Sequence, residues 1–258
     1  MYSSSERFKP AGHKAQELSE IVMPEEVFKP IQRVVEKSTE MTIGYLYREI
    51  EHRQGEIGDV VLSAGVLLDV HKNARLHNAE GWREYEQNDE ENSFKWTMPS
   101  GPLTTELIYR TQRENRLVRK EANNTWNTTL HYLCLITSTI INYKDGISQI
   151  RHNWNESPVT TIIPEELKTI ITDNNSPNTQ QFLQALLGKR HALTQRMFGQ
   201  YATSVMLWRT VEGRHALALG IGNDNRHYIL ANDICSRPAR GISLLANFPS
   251  PQYEVRDD

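Results

Sequence analysis

Apolar residues along the first third of the chain recur at intervals of three and four. Val27, Ile31, Val34 and Val35 fall on one side of a helical wheel. The spacing predicts a helix from Pro24 to about Lys37, with Glu25 and Glu26 in its first turn and an interruption at Pro30. The same reading extends over Thr42 to His52 and Ile57 to Ala74, where Val61, Leu62, Leu67, Leu68 and Val70 supply the apolar side. Gly55 and Gly58 separate these two segments. From Asn78 to Pro102 the periodicity dissolves into an acidic stretch that reads as a long surface loop or a boundary. Trp82 and Trp96 argue that it is ordered, because a solvated tryptophan leaves much apolar area in water. Leu103 to Asn123 reads as one charged helix, with Leu107, Ile108 and Val118 near one side.

Thr128 to Tyr143 is apolar and β-branched, and is ambiguous between a buried helix and a strand. Pro164 opens a short helix carrying Leu167, Ile170 and Ile171. Ser176-Pro177 forms the cap and first position of a helix running to about Phe198. After that helix the period changes from 3.6 to 2. Ser204 to Val211, His215 to Ile221 and Arg226 to Asn232 read as a three-stranded antiparallel meander, turned at Glu212-Gly213 and at Gly222-Asn223-Asp224-Asn225. The expected class is therefore α+β, mostly helical with a small C-terminal three-stranded antiparallel sheet. Its organisation would be a flexible arm over residues 1–20, a helical region over 21–100, and helices plus the meander over 101–258, either separate from 21–100 or continuous with it.

Composition narrows the setting. The chain has 258 residues, 38% hydrophobic and 24% charged, with a formal net charge of −3, which argues against non-specific binding of nucleic acid by the whole surface. No run of about 18 apolar residues occurs, so no membrane span is expected, and the N-terminus lacks the apolar core of a secretory signal. Cys134 and Cys235 are the only cysteines, with no zinc-type spacing. Walker A, H-E-x-x-H and G-x-S-x-G motifs are all missing, so neither cofactor nor metal is expected. The expected location is a reducing, cytosol-like compartment, a setting that also suits an effector delivered into a host cell without a cleavable signal.

Candidate chemistry centres on His215. It opens one strand of the meander, with Leu217, Leu219 and Ile221 on its face and Ala216, Ala218 and Gly220 on the other. Asn232 and Asp233 end the next strand, where one of them could orient the imidazole and leave its second nitrogen to take a proton. Cys134, upstream on another element, is the candidate nucleophile. This order of Cys, then a His-Ala strand start, then Asn or Asp resembles the papain-like cysteine proteases and deamidases among secreted bacterial effectors, over residues 204–248. The resemblance implies a thiol hydrolase or deamidase acting on a protein substrate, with Cys134 as nucleophile, His215 as base and Asp233 or Asn232 as orienter.

A different class of function fits the same chain. In a non-enzymatic interaction protein, either a host-factor-binding effector or a viral structural or nucleocapsid-type component, Cys134 and His215 would be structural. Contacts would then come from the basic side of the 103–123 helix, with Arg113, Arg116 and Arg119, or from Trp82 and Trp96. The partner would be a protein, with nucleic acid the less favoured choice because surface charge is usually paired and solvated.

Overall fold

The computed structural model describes residues 26–114, 117–131, 134–153, 156–172, 176–248 and 251–257. The arm expected over residues 1–20, the Pro24 helix start and Arg116 lie outside these residues. Strand, not helix, dominates, which overturns the mostly helical architecture.

The three segments expected as N-terminal helices are strands or loop: β1 (Gln32–Glu36), β2 (Thr42–Arg53) and β3 (Glu56–Ser63), with the last expected helix running out into the loop after β3. The reason lies in double burial. Tyr45, Tyr47, Val60 and Leu62 face one core, while Val34, Leu46 and Val61 face another. A sheet covered on both sides has no polar alternation to betray its period of two, and its near-continuous apolar runs mimic helical spacing. The side chains themselves are β-branched or aromatic, as strands prefer. Gly55 turns β2 into β3 with φ of 79°, a backbone state that glycine enters without steric cost.

Next come α1 (Ala79–Gln87), α2 (Gly101–Arg113) and α3 (Leu117–His131). The expected 103–123 helix is thus two helices, divided at Glu114, whose backbone is extended. Ser100 caps α2 by accepting from the Leu103 amide at 3.3 Å. The ambiguous 128–143 stretch divides too: its first residues end α3 and the rest form β4 (Leu135–Lys144). An Asp145-Gly146 turn with both residues at positive φ leads to β5 (Ile147–Arg151). Then follow β6 (Val159–Thr161) and β7 (Lys168–Ile170), the latter standing where the Pro164 helix was expected.

Ser176 caps α4 (Pro177–Leu187) through the Thr179 amide; a 3₁₀ turn over Gly188–Leu193 and α5 (Thr194–Gly199) complete this helical stretch. The chain closes with β8 (Ser204–Trp208), β9 (Gly213–Ile221), β10 (Arg226–Asp233), β11 (Ile242–Leu244) and β12 (Tyr253–Arg256). One sheet runs β11-β3-β2-β1-β12, so strands from the two ends of the chain share it. The other runs β6-β5-β4-β9-β10-β8-β7. The expected meander is therefore corrected. Because β4 occupies the free edge of β9, β8 pairs with β10 instead, and in parallel.

Two bulges set the faces of the large sheet. Between β4 and β9 the register passes from Ile136↔Ala218 to Ile140↔Ala216, and between β10 and β9 from Leu230↔Ala218 to Asp233↔Ala216. Leu217, Leu219 and Ile221 meet the helices in the main core. On the opposite face, Ala216 joins Ile136, Ile140 and Ala239 in the second core. Leaving β10, the chain crosses β9 on this small-residue side. The Pro238 carbonyl then accepts from the Ile136 amide at 3.0 Å, and the Gly241 carbonyl accepts from Ser63 at 2.8 Å, delivering the chain to the first sheet.

Gly220 lies against the backbone of Cys134, where an added Cβ would sit 2.6 Å from the Cys134 Cα. Replacing Gly220 with Ala is expected to destabilise the fold by about 1–3 kcal/mol, as overpacking does, and Cys134→Gly in the same chain should recover part of the loss. Thermal melts of the two variants check this. His227 is wholly buried, stacked on Phe198 at 3.8 Å, and both its ring nitrogens lack a partner among the described residues. Burial pushes its pKa down to about 3, against about 6.5 when unfolded. The folded state keeps the ring neutral while the unfolded chain binds a proton. Its contribution is thus intact above about pH 6.5 and is lost at roughly 1.4 kcal/mol per pH unit as pH falls towards 3. Denaturant midpoints between pH 7 and 5, where carboxylates stay ionised, should fall in the parent and stay flatter in His227→Phe.

Candidate functional site

The structure does not bring Cys134, His215 and Asp233 together. His215 is buried near the start of β9, and its Nε2 lies 3.0 Å from the Val211 carbonyl and 3.4 Å from that of Glu212. Carbonyls only accept, so Nε2 carries the proton, and Nδ1 is left buried without a partner among the described residues. Without the bulge in β10, Asp233 would stand opposite His215. The extra residue moves Asp233 opposite Ala216 and so to the other face of the sheet. There its carboxylate pairs with Arg237 at 3.1 Å. Asn232 is half-buried on β10.

Cys134 precedes β4 beside Gly220, five residues along β9 from His215, or about 17 Å at roughly 3.4 Å per strand residue. Burial pushes its thiol up, with Arg237 pulling it down and Asp233 adding to the rise. The exposed Cys235, rather than Cys134, lines a cavity of about 150 Å³ with His215, Asp233, Arg214 and Glu80.

The residues expected to make contacts are dispersed as well. Trp82 is fully buried and donates from Nε1 to the Arg237 carbonyl at 2.9 Å; Trp96 is also buried, edge-on to Phe248. Both belong to the second core. Arg113 ends α2 and Arg119 lies on α3, each half-buried, so the break at Glu114 puts them on different helices. Arg110 is engaged by Glu106 at 3.0 Å and by the Arg48 carbonyl at 2.7 Å.

What the sequence reading missed is a face of the large sheet. Register places Lys168 opposite Trp208 and Trp208 opposite Leu230; one step along, Ile170 lies opposite Met206 and Met206 opposite Tyr228. These six side chains form a two-by-three grid on the face that Ala218 and Gly220 continue on β9. All six are half-buried or exposed, whereas Val205, Leu207, His227 and Ile229 on the reverse face are buried. The second core covers this side over β4 and β9 but stops short of β10, β8 and β7. The Trp208 and Tyr228 rings meet edge-to-face at 6.4 Å, and the Lys168 ammonium sits 3.9 Å from the centre of the Trp208 ring. Lys168 has no ion pair among the described residues. The alternation of Ser204, Met206 and Trp208 carried the signal, but only the parallel pairing of β8 with β10 completes the grid.

Alkylation of the native chain at neutral pH should modify Cys235 quickly and Cys134 only after denaturation or at higher pH, as read by peptide mass. Equal rates would contradict the positions assigned to the two thiols. Comparison with protein-family models, curated proteins and solved structures found no match to this chain.

Proposed function

We propose that the chain is a non-enzymatic interaction protein that binds a partner protein on the open grid of β7, β8 and β10. The observation that carries this reading is the cluster of Ile170, Met206, Trp208, Tyr228 and Leu230, left half-buried or exposed by the described residues, on strands whose reverse face buries Val205, Leu207, His227 and Ile229. Aromatic residues and Met are enriched at protein interfaces, and contiguous exposed apolar area marks binding surfaces. Single-stranded nucleic acid is the weaker occupant. Bases need flat aromatic platforms, whereas Trp208 and Tyr228 stand 80° apart and Lys168 already covers the tryptophan face. The partner would present an apolar surface with a carboxylate or carbonyl placed for Lys168. The separation of Cys134 from His215 leaves the thiol-hydrolase expectation without an assembled catalytic group, and no observation favours it over binding.

A photo-crosslinking residue at position 206, in cells that express the chain, is expected to give a discrete protein adduct that the same residue at position 49 does not. With the partner purified, Trp208→Ala should weaken binding by about 30-fold, corresponding to a hot-spot loss near 2 kcal/mol, and Ile170→Glu should do likewise. Neither should lower the melting temperature by more than a few degrees. Absence of an adduct, or binding indifferent to both substitutions, rejects the reading.

A further inference from the structure

A second site adjoins β6, at the opposite edge of the seven-stranded sheet from β7 and the grid. Between the tip of the β2–β3 hairpin and the loop after β5 runs a cleft of about 630 Å³, within the range of ligand-binding cavities. A cavity of about 320 Å³ adjoins it. The two share the walls His52, Arg53, Gln54, Asn153, Glu156 and Ser157. Within that shared wall Glu156 Oε1 accepts from the Gln54 amide at 3.4 Å and from Asn153 Nδ2 at 2.5 Å. The two cavities share these walls and together make one groove.

The lining says what would fit. The larger half is rich in hydrogen-bonding side chains, among them Thr97, Asn153, Ser157, Ser243 and Asn247. The smaller half adds the apolar Pro102, Leu103 and Val159. Among the described residues, no phenylalanine, tyrosine or tryptophan lines either half. Phosphate is poorly served. Lys95 is already paired with Asp89, and Arg53 shares the walls with the carboxylates of Glu56 and Glu156. Neither Glu56 nor Glu156 has an ion pair among the described residues. The smaller half is bordered by Val159, 47% exposed, on β6, the outermost strand of the seven-stranded sheet. An edge strand offers a row of backbone donors and acceptors to another extended chain.

We propose that this groove binds an extended peptide segment carrying a basic residue. Its backbone would lie along the edge of β6, and its ammonium or guanidinium would lie against Glu56 and Glu156. The site is independent of the grid on β7, β8 and β10, and either can fail without the other.

The test uses a phage-displayed random heptapeptide library panned on the immobilised full-length chain. Enriched sequences are then synthesised and measured by titration calorimetry. Lys or Arg should recur among them. Ser157→Trp, which fills the shared wall from an exposed position, should weaken binding at least tenfold, whereas Trp208→Ala should change it less than twofold. Glu56→Lys, also at an exposed position, should weaken binding at least fivefold and decides the matter if Ser157→Trp fails to fold. Failure to enrich any sequence over an unrelated control protein would overturn the proposal. So would binding that survives both groove substitutions, or binding lost with Trp208→Ala, which would place the peptide on the grid.

Discussion

The structure depends on one close crossing. After β10 the chain must pass over β9 to reach the outer edge of β4 and then the first sheet, and it does so on the side where β9 carries Ala216, Ala218 and Gly220. Larger side chains there would lift the crossing segment out of hydrogen-bonding reach of Ile136. The two sheets would then lose the segment that ties them. The bulge in β10 belongs to the same arrangement. It turns Asp233 onto the crossing side, where Arg237 of the crossing segment neutralises it, and the same turn removes it from His215.

The crossing also delivers a buried charge. Arg240 is 1% exposed, lies 4.3 Å from the centre of the Trp126 ring, and donates from Nε and Nη2 to the Ser63 carbonyl, leaving Nη1 without a partner among the described residues. Burial pulls its pKa down to about 10, so it remains charged at neutral pH. A second set of charges ties Glu26, ahead of β1, to α2. Burial pushes the Glu106 carboxyl up, but hydrogen bonds from Arg190 and Arg110 outweigh it and the net shift is downward. Arg190 reaches on to Glu26 at 2.7 Å. Breaking such a set by removing one member strands the others in a low dielectric.

The same economy of layers explains the open grid. The main core packs against one face of the seven-stranded sheet, but the second core covers only β4 and β9 on the other. The remaining strands leave Trp208, Tyr228, Met206 and Leu230 partly exposed.

Local chemistry determined several features on its own. Ser176-Pro177 started a helix because a hydroxyl cap and a ring with fixed φ act within one turn. The three C-terminal strands were legible because each is bounded by residues that tolerate tight turns, and the Asp145-Gly146 hairpin carried an equally plain local signal that went unread. Pairing was not local. Whether β8 lies beside β9 or β10 depends on β4 claiming the edge of β9 from some 80 residues upstream. Burial was not local either. Strands packed on both faces lose the alternation that marks them, so β1, β2 and β3 passed for helices. The candidate site suffered most, because one unpaired residue in β10 moves Asp233 to the opposite face of the sheet from His215. A bulge is decided by what packs against the strand, and in this chain that is the crossing segment, a contact that exists only once both sheets are in place.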